Sequence, residues 1–142
     1  MTRNLLPPVD AVTQASWFAN VRAAHQMETT EDYVEMIAQL LDTSNEARLS
    51  DIAARMGVSR PTVSKMLDRL QAEGYIESQP YRAVFLTPKG RDLARKCQKR
   101  HSVVYEFLLR LGIDPDTAAL DAEGIEHHLS AKSLKIMENF KG

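Results

Sequence analysis

Residues 50–70 read SDIAARMGVSRPTVSKMLDRL, and the punctuation of this stretch decides the fold. Ser50 stands where a side-chain oxygen caps a helix, and apolar Ile52, Ala53 and Met56 follow at helical spacing. Gly57 suits the left-handed residue that ends such a helix, because it carries no Cβ to clash. Ser59 offers a second cap at once, and Pro61 is tolerated in the first turn of a helix over about 60–73. Val63, Met66, Leu67 and Leu70 form its apolar stripe, which packs with Ile52, Ala53, Met56 and Val58 to lock the two helices together. Gly74 stops the second helix. Tyr75-Ile76-Glu77-Ser78 and Ala83-Val84-Phe85-Leu86 then read as short strands around a turn at Gln79-Pro80-Tyr81-Arg82. Helix, glycine turn, helix and hairpin, in that order, make a winged helix-turn-helix.

Working outward, helices dominate both flanks. Residues 1–11 contain Pro7-Pro8 and little periodicity, and read as a mobile arm. Val12, Ala15, Phe18, Val21 and Arg22 predict a short amphipathic helix over 12–27, followed by a separate helix capped by Thr29 or Thr30 and ending near Thr43. On the other side, Thr87-Pro88 opens a long helix over about 88–111. Asp114-Pro115 begins another, to about His128, and Ser130 or Ala131 a last one to about Phe140. The fold class is mainly α: an N-terminal winged helix-turn-helix with a small β-hairpin wing, followed by an all-helical domain. The boundaries expected are 1–27 for an N-terminal extension, 28–95 for the winged helix and 96–142 for the helical domain.

The chain has 142 residues, long enough to fold without disulfides or structural zinc. Cys97 is the sole cysteine, which excludes a disulfide scaffold and a multi-cysteine metal site. No apolar run approaches the ~18–20 residues of a membrane span, so a cytoplasmic protein without a membrane partner is expected. The net charge of −1 hides a pattern. Residues 1–47 hold two basic and seven acidic side chains, 48–100 hold twelve and five, and 101–142 hold four and seven. A basic middle between acidic flanks fits a polyanion-binding unit held by segments that take something cationic.

That basic middle contains the two-helix motif. The outward side of its second helix presents Ser59, Arg60, Thr62, Ser64, Lys65 and Arg69, with Pro61 in the first turn. Hydroxyls and cations near a helix N-terminus reach phosphates and base edges in the major groove of double-stranded DNA. Arg82 at the hairpin tip is placed to touch the adjoining backbone. A winged helix serving only as a protein-binding module is the competing reading, and the local positive charge favours DNA.

A second constellation is acidic. Asp32 and Glu35 share one helix face, as do Glu123, Glu126 and His127, while His101 lies midway along the long helix between them. A lone carboxylate pair is ordinarily solvent-facing. Four carboxylates brought together would repel and take up protons, unless a cation made them a coordination shell.

These blocks carry a resemblance. Glu31-Asp32-Tyr33-Val34-Glu35, Val63-Ser64-Lys65-Met66-Leu67, Leu86-Thr87-Pro88-Lys89-Gly90, Arg100-His101 and the run from Asp121 to Ser130 (DAEGIEHHLS) occur in order without evident gaps. Over about residues 28–140 the chain resembles the metal-dependent repressors of the diphtheria toxin repressor class and, within it, the manganese transport regulators. The resemblance implies a homodimeric, DNA-binding repressor of transcription with a binuclear manganese site built from Asp32, Glu35, His101, Glu123, Glu126 and His127. It implies two Mn²⁺ per subunit, with Fe²⁺ as a weaker or alternative activator, and genes of manganese homeostasis as targets. In the iron-responsive branch, soft Met and Cys side chains occupy the places of Asp32 and Glu123; here both are oxygen donors. Hard oxygen and borderline imidazole donors suit Mn²⁺, and six residues exceed what one tetrahedral zinc requires. The partners expected are an operator and a second copy of the chain, with no organic substrate and no catalytic residue. Two other readings remain open from the residues alone: a small di-metal carboxylate enzyme, and a winged-helix regulator sensing an organic ligand.

Overall fold

Absence of glycine or proline between Ala11 and Ser44 leaves nothing to interrupt a helix, and α1 (Ala11–Ser44) runs through the whole interval. The computed structural model describes residues 9–78 and 83–142 of the protein. The two helices expected over 12–27 and 30–43 are therefore one. A cap would require Thr29 or Thr30 to leave helical geometry, whereas each residue that continues adds a backbone hydrogen bond. Thr30 is instead fully buried, and its hydroxyl oxygen has no partner among the described residues. The cap lies upstream at Asp10, which accepts from Thr13 N–H at 2.7 Å. Most of the arm expected at 1–11 lies outside the described residues.

The two-helix motif follows as α2 (Leu49–Met56) and α3 (Arg60–Ala72). Ser50 does not cap α2: the capping position is Arg48, with no side-chain bond, and Ser50 lies inside the first turn. Gly57 does terminate α2 at φ 70, and Ser59 caps α3 by accepting from Thr62 N–H at 3.3 Å. Val58 is 39% exposed and takes no part in locking the helices, because the turn after Gly57 points it outward. Two short strands, β1 (Ile76–Glu77) and β2 (Phe85–Leu86), pair antiparallel with Ile76 opposite Leu86. Each is shorter than its four-residue expectation. The intervening 79–82, including Arg82, lie outside the described residues.

Then come α4 (Pro88–Arg110), α5 (Pro115–Ile125), a 3-10 turn Glu126–His128, and α6 (Ala131–Asn139). Thr87, Asp114 and Ser130 cap the three helices in turn. Gly90 is needed where α4 meets the wing, since a Cβ there would sit 2.1 Å from the Tyr75 carbonyl oxygen. The helix expected to reach His128 tightens after Ile125 into the 3-10 turn, which sets the directions of His127 and His128.

Two apolar cores result. The first gathers Val34, Ile37 and Leu40 of α1, Ile52 of α2, Val63, Met66, Leu67 and Leu70 of α3, with Ile76, Leu86 and Ala94. The second gathers Val104 and Leu108 of α4 with Ala118 and Ala122 of α5, and Leu129, Leu134 and Met137 pack onto it. Helix α4 belongs to both. The carboxylate face of α1 crosses α4 at the seam between them.

Candidate metal centre and DNA-facing helix

Helical spacing puts Asp32 and Glu35 on the side of α1 turned to α4 and the 3-10 turn. From α4 comes His101, whose Nδ1 lies 3.3 Å from Glu123 Oε1 and 3.6 Å from Glu126 Oε2. From the 3-10 turn comes His127, whose Nε2 lies 3.0 Å from Asp32 Oδ1 and 3.4 Å from Glu126 Oε1. Glu126 is fully buried at the centre of the group. The contacts run as a chain from Asp32 through His127 and Glu126 to His101 and Glu123. His101, Glu123 and Glu126 gather at one end, and Asp32 and His127 stand beside Glu28 at the other. Glu35 joins neither group within contact distance and is linked to them by charge alone.

The electrostatics are those of an anionic pocket. Burial, then the charges of Glu123 and Asp32, pushes the Glu35 carboxyl up to about 7, against a partial offset from His127. Burial, then the charge of Glu35, pushes Glu126 up to about 8. Burial alone would lower the pKa of His127, but its hydrogen bond to Asp32 and the charges of Asp32 and Glu126 carry it above its ordinary value. Buried among these carboxylates, the Cys97 thiol rises to about 12 and stays protonated.

Three atoms here are buried without a hydrogen-bond partner among the described residues: both carboxylate oxygens of Glu126 and Nδ1 of His101. Orphaned buried acceptors are costly in an ordinary core. They are what a cation's coordination shell requires, and the donor set of carboxylates and imidazoles fits a divalent metal.

Around this group lies a layer that ligand spacing did not pick out. Glu31 is buried, accepts from His127 Nδ1 at 3.0 Å and is paired with Arg100. That contact fixes the imidazole with its proton on Nδ1, leaving Nε2 to face Asp32 and Glu126. Glu31 reads from sequence as a helix-start acid, and Arg100 as one more cation of the basic middle; only their burial distinguishes them.

On the opposite side of the winged helix, Ser59, Arg60, Pro61, Thr62, Ser64, Lys65 and Arg69 are all exposed. Their roles differ. The Ser59 and Thr62 hydroxyls bond each other at 2.8 Å, and Arg69 is held by Glu73 at 3.0 Å. Arg60 and Lys65 have no ion pair among the described residues and project freely. Lys89 is spent on structure, donating to the Glu73 carbonyl at 2.7 Å while lying 4.3 Å over the Tyr75 ring.

A winged helix joined to a helical domain, with a carboxylate–imidazole cluster at their seam, is the build of a metal-responsive DNA-binding regulator. Residues 25–84 match the profile of the iron dependent repressor N-terminal DNA binding domain, and 87–142 that of the iron dependent repressor metal binding and dimerisation domain. The chain belongs to this family of transcriptional regulators and is not an enzyme. Similar proteins include the transcriptional regulator MntR of Salmonella typhimurium, 47% identical over 133 residues spanning 94% of this chain and 85% of that one. The HTH-type transcriptional regulator MntR of Listeria monocytogenes is 41% identical over 104 residues, 73% of either chain. Among solved structures, the manganese regulator SloR aligns at TM-score 0.68 and 30% identity over 78% of this chain. A manganese-dependent transcriptional repressor in complex with manganese aligns at TM-score 0.70 and 28% identity over 76%. The chain spans about half the length of those two structures, 52% and 50%.

Proposed function

We propose that the protein is a manganese-activated repressor that binds a DNA operator as a homodimer and controls genes of manganese homeostasis in the cytoplasm. The observation that carries this reading is the donor set: Asp32, Glu35, Glu123 and Glu126, with His101 and His127, place oxygen where softer ions would want sulfur. Names of the similar regulators point the same way. Two Mn²⁺ per chain would offset four carboxylate charges, with Fe²⁺ the weaker activator, and the metal supplies only that positive charge and its coordination preferences. The residues do the rest. Asp32 and Glu35 ride on α1, whose C-terminal half packs in the winged-helix core, while Glu123 comes from α5, which packs in the helical core, and Glu126 and His127 from the 3-10 turn that follows it. Holding them together ties the two units, which supports a division at 28–95 and 96–142 within α4. Exposed Leu111, Leu120, Ile125, Ile136 and Phe140 offer the apolar surface for a second copy. In the dimer the two α3 helices are restrained to half-sites ~34 Å apart. Coupling of this kind is typically ~1–3 kcal/mol.

The test is anaerobic titration of operator binding by metal-stripped protein with Mn²⁺ and Fe²⁺, with metal counted per chain and mass by sedimentation. The reading expects a dimer and an Mn²⁺-dependent gain in affinity that Asp32→Met shifts toward Fe²⁺. Affinity independent of metal, or a monomer at micromolar concentration, overturns it.

A further inference from the structure

The 3-10 turn places successive side chains about 120° apart, so His127 and His128 point to different neighbours. His127 faces inward to the cluster above. His128 turns instead to the middle of α1, where His25 and Glu28 stand one helical turn apart. Glu28 Oε2 lies 3.2 Å from His25 Nδ1 and 3.2 Å from His128 Nε2. The two imidazole rings meet edge to face, 4.8 Å between centroids at 68°. We propose that His25, Glu28 and His128 form a separate divalent-cation site, selective for ions of the Zn²⁺ class rather than Mn²⁺.

Geometry and donor type carry this. All three ligand atoms lie within 4.8 Å of one another. In a tetrahedral shell with Zn–N near 2.0–2.1 Å, neighbouring donors stand about 3.3 Å apart, close to both observed Glu28 distances. Two imidazoles and one carboxylate form a borderline set that suits four-coordinate Zn²⁺ or Co²⁺, with the fourth position left to water. The carboxylate-rich cluster differs in both donor count and hardness. His25 is exposed, and its partners among the described residues are Glu28 and the edge of the His128 ring, the other two members of the site. An ion there would join the extension half of α1 to the 3-10 turn. Glu28 also lies within 4.8 Å of Asp32 and His127, so the site abuts the larger cluster without sharing its histidines.

The experiment uses metal-stripped full chain, with Co²⁺ as the probe, because four-coordinate Co²⁺ absorbs visible light far more strongly than six-coordinate Co²⁺. Excess Mn²⁺ is present to fill the oxygen-rich cluster. The expected result is a strong four-coordinate spectrum that saturates at a single Co²⁺ per chain and is displaced by Zn²⁺. His25→Ala and His128→Ala should each abolish it, while the double variant His101→Ala/Glu126→Gln should retain it. His25→Ala should also keep Mn²⁺-dependent DNA binding, which separates loss of this site from loss of the fold or of the proposed repressor function. Absence of the spectrum in the unaltered protein, its survival in His25→Ala, or its loss in the His101/Glu126 variant overturns the proposal.

Discussion

Two exposed cations and one buried carboxylate decide most of what single residues contribute. Arg60 and Lys65 project from the first turns of α3 without ion-pair partners among the described residues, whereas Arg69 is tied to Glu73. Arg60→Ala and Lys65→Ala should therefore weaken operator binding and flatten its salt dependence by about one counterion each, with Mn²⁺ uptake unchanged. Measured affinity against salt concentration checks this, and an unaltered slope in both would remove α3 as the DNA-facing helix. Glu31 acts through His127. Glu31→Gln keeps the shape but loses the charge that holds the imidazole, and leaves Arg100 without its carboxylate. Mn²⁺ affinity should fall about tenfold or more, read from free Mn²⁺ by electron paramagnetic resonance. Unchanged affinity would mean that the proposed cluster orients His127 without help.

At the scale of elements, the contact between the wing and α4 is the tightest constraint. Gly90 passes so close to the Tyr75 carbonyl that any side chain must push strand or helix aside. Thr87 strengthens the same join, donating its hydroxyl to the Gly74 carbonyl at 2.6 Å and its N–H to that of Tyr75 at 3.0 Å. Gly90→Ala should cost about 1–3 kcal/mol of stability, in the range of an overpacked core. Because the wing would shift with it, DNA affinity should fall in Mn²⁺-saturated protein while Mn²⁺ stoichiometry holds. A thermal midpoint within error of the unaltered protein would show that the join yields cheaply. Helix α1 teaches a different lesson: Val12, Phe18 and Val21, which the spacing assigns to an amphipathic face, are exposed, and no core of the described residues covers them.

For the whole molecule, protons and metal compete for one cluster. Glu35 and Glu126 have pKa values of about 7 and about 8 in the folded, metal-free protein, above the ordinary value of 4.5. Their protonated forms are therefore the ones the fold tolerates. The stability they allow is complete below about pH 4.5 and is lost as pH rises through about 7–8. His127, also raised, works in the same direction. The thermal midpoint of metal-free protein should fall between about pH 6 and about pH 8.5, whereas the Mn²⁺-saturated protein should hold or gain. Mn²⁺ binding should accordingly release protons, seen as a calorimetric enthalpy that changes with the ionisation heat of the buffer. A gap between the two midpoints that narrows with rising pH would contradict the assignment of these carboxylates.

The order of elements was legible from the sequence because it is written in local chemistry. Caps at Ser59, Thr87, Asp114 and Ser130, the left-handed Gly57 and the apolar stripe of α3 each act within a few residues of themselves. The carboxylate–imidazole cluster was legible only in part: spacing showed which carboxylates share a face, resemblance implied the pairing of distant faces, and neither showed that Glu35 stands apart from the contacts of the other five. What local chemistry could not decide was continuity and burial. Whether Thr30 caps a helix or is swallowed by one depends on α4 and the 3-10 turn lying across it. Glu31 looks like any surface acid until packing removes it from water, Arg100 like any surface base until it is half-buried against that carboxylate, and His25 meets His128 only because α1 runs on unbroken past Glu28. Tertiary structure decided these points, since burial and long-range juxtaposition are properties of the assembled chain and not of any window along it.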